Sequence, residues 1–208
     1  MSVAIINYGL GNIKSISNAL KVNGIPYFLT NKATEILRAK IVILPGVGSF
    51  PEGMRLLKEQ NLIEPIKQFS QSNKPMIGIC LGMQLFFESS SEFENCKGLG
   101  LIKGKVTKLL KDDTNFHQKV PNIGWRQTFK KHDQNSILEG LAFEESFYFT
   151  HSYYCQPNND QDILMESKFG HKSFCAAVIS NNIYGFQFHP EKSSTQGLKI
   201  INNIKVLL

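Results

Sequence analysis

KPMIGICLGMQLF, residues 74–86, sets a single cysteine, Cys80, between an apolar run and a second run at helical spacing, with Gly78 two residues before it and Gly82 two after. PMIGIC has the length and apolarity of a buried strand, and GMQLFFES predicts a helix directly behind it. A sharp strand-to-helix turn leaves no room for side chains beside the turning residue, which is what the two glycines provide. The stretch has the form of a nucleophile elbow, G-x-S-x-G with cysteine for serine. Held there, the sulfur points out at the carboxyl end of its strand, where an open α/β sheet binds ligands. The free N–H groups of the following helix face the site and favour thiolate over thiol. Without the glycines, a lone cysteine reads as a small buried hydrophobe.

The same alternation runs outward from this stretch. VAIINY (3–8) predicts a buried strand, then Ile13, Ile16 and Leu20 predict a helix that Gly24 can stop. PYFL and IVILP (41–45) repeat the strand signal. Pro51 suits the first turn of a helix with Met54, Leu57, Leu62, Ile66 and Phe69 as inward positions. Short strand and helix units in this order predict an α/β fold: an open, doubly wound, mainly parallel sheet flanked by helices. After Gly98 the pattern turns β-rich, in LIKGKVTKLL, FYFTHSYYC, FCAAVIS and NIYGFQF, before STQGLKIINNIKVLL returns to helical spacing. No repeat or linker interrupts the chain, so residues 1–208 read as a single domain.

Composition narrows the function classes. No signal-like leader or membrane-length apolar run is present, and the four cysteines have neither disulfide-framework nor metal-ligand spacing. A reduced, cytoplasmic protein with no metal, no cofactor and no membrane association is the expectation. The net charge of +6 is concentrated: nine Lys/Arg against Asp112 and Asp113 between residues 97 and 131. Without a nucleic-acid module beside them, these cations read as a solvated or protein-docking face rather than a nucleic-acid site.

A cysteine nucleophile needs a base, and the base needs an orienting group. In FQFHPEKS (186–193), His189 and Glu191 stand two apart and share a face if the strand continues, although Pro190 marks a strand end. The remaining histidines read as structural, with His151 set at an aromatic-rich strand end. LPGVGSF (44–50) places two glycines just after a strand, where backbone amides can turn into a pocket as an oxyanion hole; an ordinary tight turn is the alternative. YGLGN (8–12) lacks the third glycine and the acidic residue of a dinucleotide loop.

ILPGVGSF, GICLGMQLFFES, VPNIGW, YFTHSYY and GFQFHPEKS occur in this order across nearly the whole chain. Together they resemble the class I glutamine amidotransferases, and within them the glutaminase subunits of imidazole glycerol phosphate synthase. The resemblance implies that Cys80 attacks the side-chain amide of glutamine, with His189 as proton shuttle and Glu191 as its orienting partner. It implies an oxyanion site at Val47, Gly48 and the Leu81 amide, and glutamine-binding roles for Gln84, Glu92, Ser152 and Tyr153. The implied partner is a (β/α)₈-barrel cyclase, in a heterodimer, that receives ammonia and makes imidazole glycerol phosphate and aminoimidazole carboxamide ribotide in histidine biosynthesis. Asn12, Trp125 and Lys192 match positions at that contact, although Trp125 could equally be core.

The chain departs from the family's usual VPHxGWN at Asn122 and Arg126, and has Pro51-Glu52 where a Gly-Asp/Asn type of pair is more usual. Asn122 and Arg126 lie beside the implied docking segment, which keeps open a paralogous acceptor, an enzyme that amidinates sugars of surface polysaccharides. A stand-alone cysteine amidase and a binding-only protein are the remaining alternatives.

Overall fold

The structure, a computed structural model, describes residues 2–109, 120–131 and 135–208. Lys111, Asp112, Asp113, Lys119, His117 and His132, all part of the sequence reading, lie outside the described residues.

In chain order, β1 (Val3–Ile6), α1 (Ile13–Val22), β2 (Tyr27–Thr30), α2 (Ala33–Arg38), β3 (Ile41–Leu44), α3 (Phe50–Glu59), α4 (Ile63–Ser70) and β4 (Met76–Ile79) form the first half. The elbow leads into α5 (Leu81–Leu85), then β5 (Phe87–Ser90), β6 (Cys96–Lys97) and β7 (Ile102–Lys108). The rest comprises β8 (Asn122–Lys130), β9 (Glu144–His151), β10 (Tyr153–Pro157), β11 (Ile163–Phe169), β12 (Lys172–Ser180), β13 (Ile183–Phe186) and α6 (Ser194–Asn203).

Nine strands make one sheet in the order β2-β1-β3-β4-β13-β12-β11-β8-β9. The five from β2 to β13 are mutually parallel, and every neighbouring pair beyond β13 is antiparallel. The sheet is therefore mixed: the β-rich second half extends the parallel layer edgewise. A second sheet, β10-β7-β5-β6, stands apart from it.

Side-chain alternation along the parallel strands sorts the core into two layers. Val3, Ile5, Ile41, Ile43, Ile77 and Ile79 pack with Ile16 and Leu20 of α1 and Ile200 and Ile201 of α6. Ala4, Ile6, Val42, Leu44 and Met76 face the other way, onto Ile36 of α2, Leu57 of α3 and Ile66 and Phe69 of α4. Helices on both faces are what near-continuous apolar strands require.

Several elements differ from the sequence expectation. The helix expected from Pro51 breaks in two, because Asn61 adopts φ +56°, a conformation Asn tolerates better than most residues. α2 and β11 were not anticipated; α2 is six residues long, too short for a periodic signal. GMQLFFES is helical only to Leu85. Phe87–Ser90 instead pairs with β7, and the Phe86 and Phe87 side chains are fully buried. FYFTHSYYC is not one strand: at Ser152 the chain leaves the large sheet in β9 and enters the small one in β10.

The topology fixes where chemistry can occur. β3, β4 and β13 are adjacent and parallel, so the loop after Leu44, the elbow after Ile79 and the segment after Phe186 emerge together at one edge.

Candidate active site

Cys80 adopts φ +54°, ψ −110°, and its amide donates to the Phe186 carbonyl at 2.7 Å, tying the elbow to β13. Left-handed backbone at a non-glycine residue is strained, and here the surroundings enforce it. A Cβ on Gly82 would collide with the Leu44 carbonyl, and one on Gly78 would reach the Phe86 ring and the Met83 amide. These glycines are required by close packing around the turn, since neither has positive φ.

His189 stands three residues beyond β13, with its amide bonded to the Tyr148 carbonyl at 2.9 Å. The strand does not continue to Glu191. Pro190–Lys192 forms a single 3₁₀ turn, and that turn brings Glu191 Oε1 to 2.9 Å from His189 Nδ1. The pairing expected from strand alternation thus arises from the turn that Pro190 opens. Ser193 completes the support: its hydroxyl donates to the His189 carbonyl at 2.7 Å and accepts from the Tyr148 amide at 3.0 Å. Burial resists charging the His189 ring, but hydrogen bonding to Cys80 and to Glu191 outweighs it and moves the His189 pKa well above its ordinary value. The Glu191 side chain is inaccessible to solvent, and its Oε2 has no hydrogen-bond partner among the described residues.

Around the sulfur lies a cavity of about 250 Å³ whose wall includes Val47, Gly48, Cys80, Leu81, Gln84, Glu92, Ser152, Tyr153, His189 and Lys192. The structure thus gathers ten of the sequence-predicted site residues around one cavity. A small amino acid fits that space.

The loop after β3 is held by a residue the sequence reading missed. Tyr8, fully buried, donates its hydroxyl to the Pro45 carbonyl at 2.9 Å, and burial together with nearby Cys80 raises its pKa far beyond the usual phenol range. Gly46 passes so close to Leu81 and Tyr8 that a Cβ would lie 2.8 Å from each. Gly48 has φ +111° and open space around it, so there the requirement is conformational. The Leu81 amide, expected to face an oxyanion, donates to the Gly46 carbonyl at 3.3 Å.

Gln84 is 5% exposed and does not merely solvate a helix end. Its amide nitrogen donates to the Tyr153 carbonyl at 2.8 Å and to Gln187 Oε1 at 3.0 Å. Gln187 in turn points Nε2 at the sulfur, 3.8 Å away, while the thiol donates to the Thr150 carbonyl at 3.7 Å. Gln187 was also missed, although a polar residue between Phe186 and Phe188 beside His189 is a readable signal. Glu92 Oε2 accepts from the Phe50 amide at 2.7 Å, capping α3 from outside; burial raises its pKa and the Phe50 amide partly offsets that.

Asn12, Trp125 and Lys192 do not line the cavity together; of the three, only Lys192 reaches it. Asn12 caps α1 by accepting from the Ser15 amide at 3.4 Å. Trp125 is 49% exposed on β8, edge-to-face with Tyr148, and is not core. Ile123 is exposed one pleat away, whereas Asn122 is fully buried. The Asn122 departure therefore changes the interior beneath β8 and not its outer face.

Residues 4–206 match the family model for glutamine amidotransferase class-I. This chain belongs to the class-I glutamine amidotransferase family. It is 42% identical over 203 residues to imidazole glycerol phosphate synthase subunit HisH of Bacillus mycoides (strain KBAB4), covering 98% of this chain and 93% of that protein. The protein of the same name from Sulfurimonas denitrificans is 43% identical over 203 residues, covering 97% and 96% of the two chains. Among solved structures, one described as glutamine amidotransferase aligns with TM-score 0.74 at 18% identity over 100% of this chain and 98% of that one. PurLQS from Thermotoga maritima aligns with TM-score 0.71 at 17% identity over 99% of each chain. These two share the fold. Among the described residues, no helix is long and apolar enough to cross a membrane.

Proposed function

We propose that Cys80, His189 and Glu191 form the triad with which this glutamine amidotransferase subunit of imidazole glycerol phosphate synthase hydrolyses glutamine. The supporting observation is the convergence of the elbow after β4 and the His189–Glu191 turn after β13 on one small cavity.

The Cys80 proton passes to His189, whose imidazolium Glu191 stabilises. The thiolate adds to the side-chain amide carbon of glutamine, and the tetrahedral intermediate collapses as His189 protonates the departing nitrogen. Ammonia leaves, and a glutamyl thioester remains on Cys80. Water, deprotonated by His189, then attacks that thioester; glutamate departs and the thiol is restored. Gln187 Nε2, 3.8 Å from the sulfur, helps hold it in place in the cavity.

The oxyanion falls to the Leu81 amide and the Val47-Gly48 segment. For Leu81 to serve, the Gly46 carbonyl must give up its amide, so loop 45–48 has to reorient for turnover. The glutamine itself is held by Gln84, Glu92, Ser152 and Tyr153. Glu92, a carboxylate beside the pocket, suits an α-ammonium group.

The ammonia passes to a (β/α)₈-barrel cyclase docked over the cavity mouth, with Asn12, Trp125 and Lys192 at the contact. Protected transfer is chemically needed, since ammonia released into neutral water is mostly protonated and no longer nucleophilic. The test is glutamate release by the purified chain, alone and mixed with the cyclase from the same source plus its nucleotide substrate. A large rise on mixing supports both glutaminase and partner. No rise, with a cyclase active on ammonium salts, overturns the partner assignment in favour of a sugar-amidinating enzyme.

A further inference from the structure

His151 is a buried, titratable group that the triad does not use. It is 5% exposed, lines the cavity and packs against the rings of Phe149 and Phe174, which also touch each other. Its two ring nitrogens have different partners: Nε2 is 2.9 Å from Asn122 Nδ2, and Nδ1 is 2.8 Å from the Tyr153 carbonyl. Behind Asn122, Arg126 Nε contacts Asn122 Oδ1 at 2.9 Å.

The donor directions in this chain have one solution. Arginine only donates, so Asn122 must present its oxygen to Arg126 and its amide protons to His151. His151 Nε2 must then accept, which leaves the proton on Nδ1. A backbone carbonyl only accepts, so Tyr153 independently demands that same Nδ1 proton. Both ends therefore specify one neutral tautomer. The Tyr153 carbonyl also receives Gln84, whose second contact orients Gln187 toward the sulfur.

We propose that Arg126 and Asn122 are positioning residues for glutamine binding: they lock His151 in its neutral Nδ1-protonated tautomer, which holds the Tyr153 carbonyl and with it the substrate wall. This rests on the reading that the cavity takes glutamine. Burial supports it by lowering the His151 pKa to about 4, despite the favourable bond to Tyr153, and nearby His189 and Arg126 act in the same direction. Arg126 also reaches the Trp125 carbonyl at 3.0 Å, so the lock begins in the strand that carries the exposed tryptophan.

Asn122→Asp keeps the size and the Arg126 contact but offers His151 Nε2 an acceptor in place of a donor. Assayed as the full chain with its cyclase, it should raise KM for glutamine about tenfold while changing kcat less than about threefold. Nitrogen NMR of His151 should then report protons on both ring nitrogens at neutral pH, against one in the parent. Arg126→Met frees the Asn122 amide to flip and should raise KM about threefold, whereas Arg126→Gln, which retains a donor, should restore the parent value. An unchanged KM and unchanged His151 signature in Asn122→Asp would overturn the proposal, as would a fall in kcat with KM unaltered. Equal effects of Arg126→Met and Arg126→Gln would do the same. Should Asn122→Asp fail to fold, the Arg126 pair decides. If the parent complex proves inactive on glutamine, the functional reading fails, and the His151 nitrogen signature alone tests the lock.

Discussion

His189 and His151 are both buried and both line the same cavity, yet their surroundings shift their pKa values in opposite directions. His189 faces a carboxylate and a thiol, and its pKa is pushed up; His151 faces a carbonyl and an amide, and its pKa is pulled down to about 4. Depth in the fold is nearly equal, so burial does not decide the outcome. The partners do: Cys80 and the Glu191 carboxylate together more than offset desolvation of an imidazolium, whereas neutral dipoles do not. On the proposed reading, one side of the pocket moves a proton and the other holds a shape.

The sharpest way to break this comparison is to remove the group that the charged side serves. Cys80→Ala should abolish glutamine hydrolysis, a loss of at least about 10³-fold in kcat, with the fold and partner binding kept. It should also lower the His189 pKa, because Cys80 is one of the groups that raise it. Glutamate release by the pure variant and histidine titration by NMR check the two halves. Retained hydrolysis would sink the nucleophile assignment.

Next in size are the two residues behind it. His189→Ala should cost more than Glu191→Gln, since serving as the base matters more than orienting one; about 10³-fold against about 10- to 10²-fold is expected. Glu191→Gln also removes the fixed charge, so the His189 pKa should fall toward the neutral behaviour of His151. Equal or reversed losses, or an unmoved His189 pKa, would count against these roles.

Stability against pH separates the two histidines by sign. For His151 the folded pKa lies below the ordinary value of about 6.5, so the unfolded chain binds its proton more readily. Its contribution is present above about pH 6.5 and lost as pH falls toward 4. His189, with a raised folded pKa, contributes fully below about pH 6.5 and loses that contribution at higher pH. Denaturant unfolding of His151→Gln across pH 4–7 should show a shallower acid loss than the parent. An identical slope would mean that His151 takes up its proton as readily in the fold as in the unfolded chain.

The charged side was legible in the sequence and the neutral side mostly was not, for a physical reason. The elbow is local: Gly78, Cys80 and Gly82 are set by a turn a few residues long, and the strand before it is a continuous apolar run. His189 and Glu191 were found by spacing, although a 3₁₀ turn and not a strand joins them. The wall that carries His151 depends on pairings distant in sequence. Asn122 lies opposite His151 on β9, Gln84 reaches Tyr153 across 69 residues, and Tyr8 reaches Pro45 across 37. No periodicity announces such contacts. A polar residue inside a buried run, as with Gln187, is the nearest signal that one sequence offers. The departure at Asn122 reads as a docking change because it lies beside the implied docking segment; the structure exposes its neighbours Ile123 and Trp125, and strand alternation turns Asn122 inward.

The smallest expected effect falls on Glu92, which belongs to neither histidine and ties the start of α3 to the cavity wall. Its Oε2 accepts the Phe50 amide where the loop after β3 enters α3, and half-burial raises its pKa. Glu92→Gln retains an acceptor for that amide and removes only the charge. If Glu92 pairs with the α-ammonium of glutamine, KM should rise about three- to tenfold with kcat nearly unchanged, because that contact is equal in ground and transition states. Glu92→Leu also strands the Phe50 N–H at the start of α3 and should lower kcat as the loop loses its anchor. A Glu92→Gln variant indistinguishable from the parent, beside a Glu92→Leu variant impaired only in kcat, would make Glu92 a loop anchor alone. The substrate's ammonium would then have to find its counter-charge elsewhere on the pocket wall.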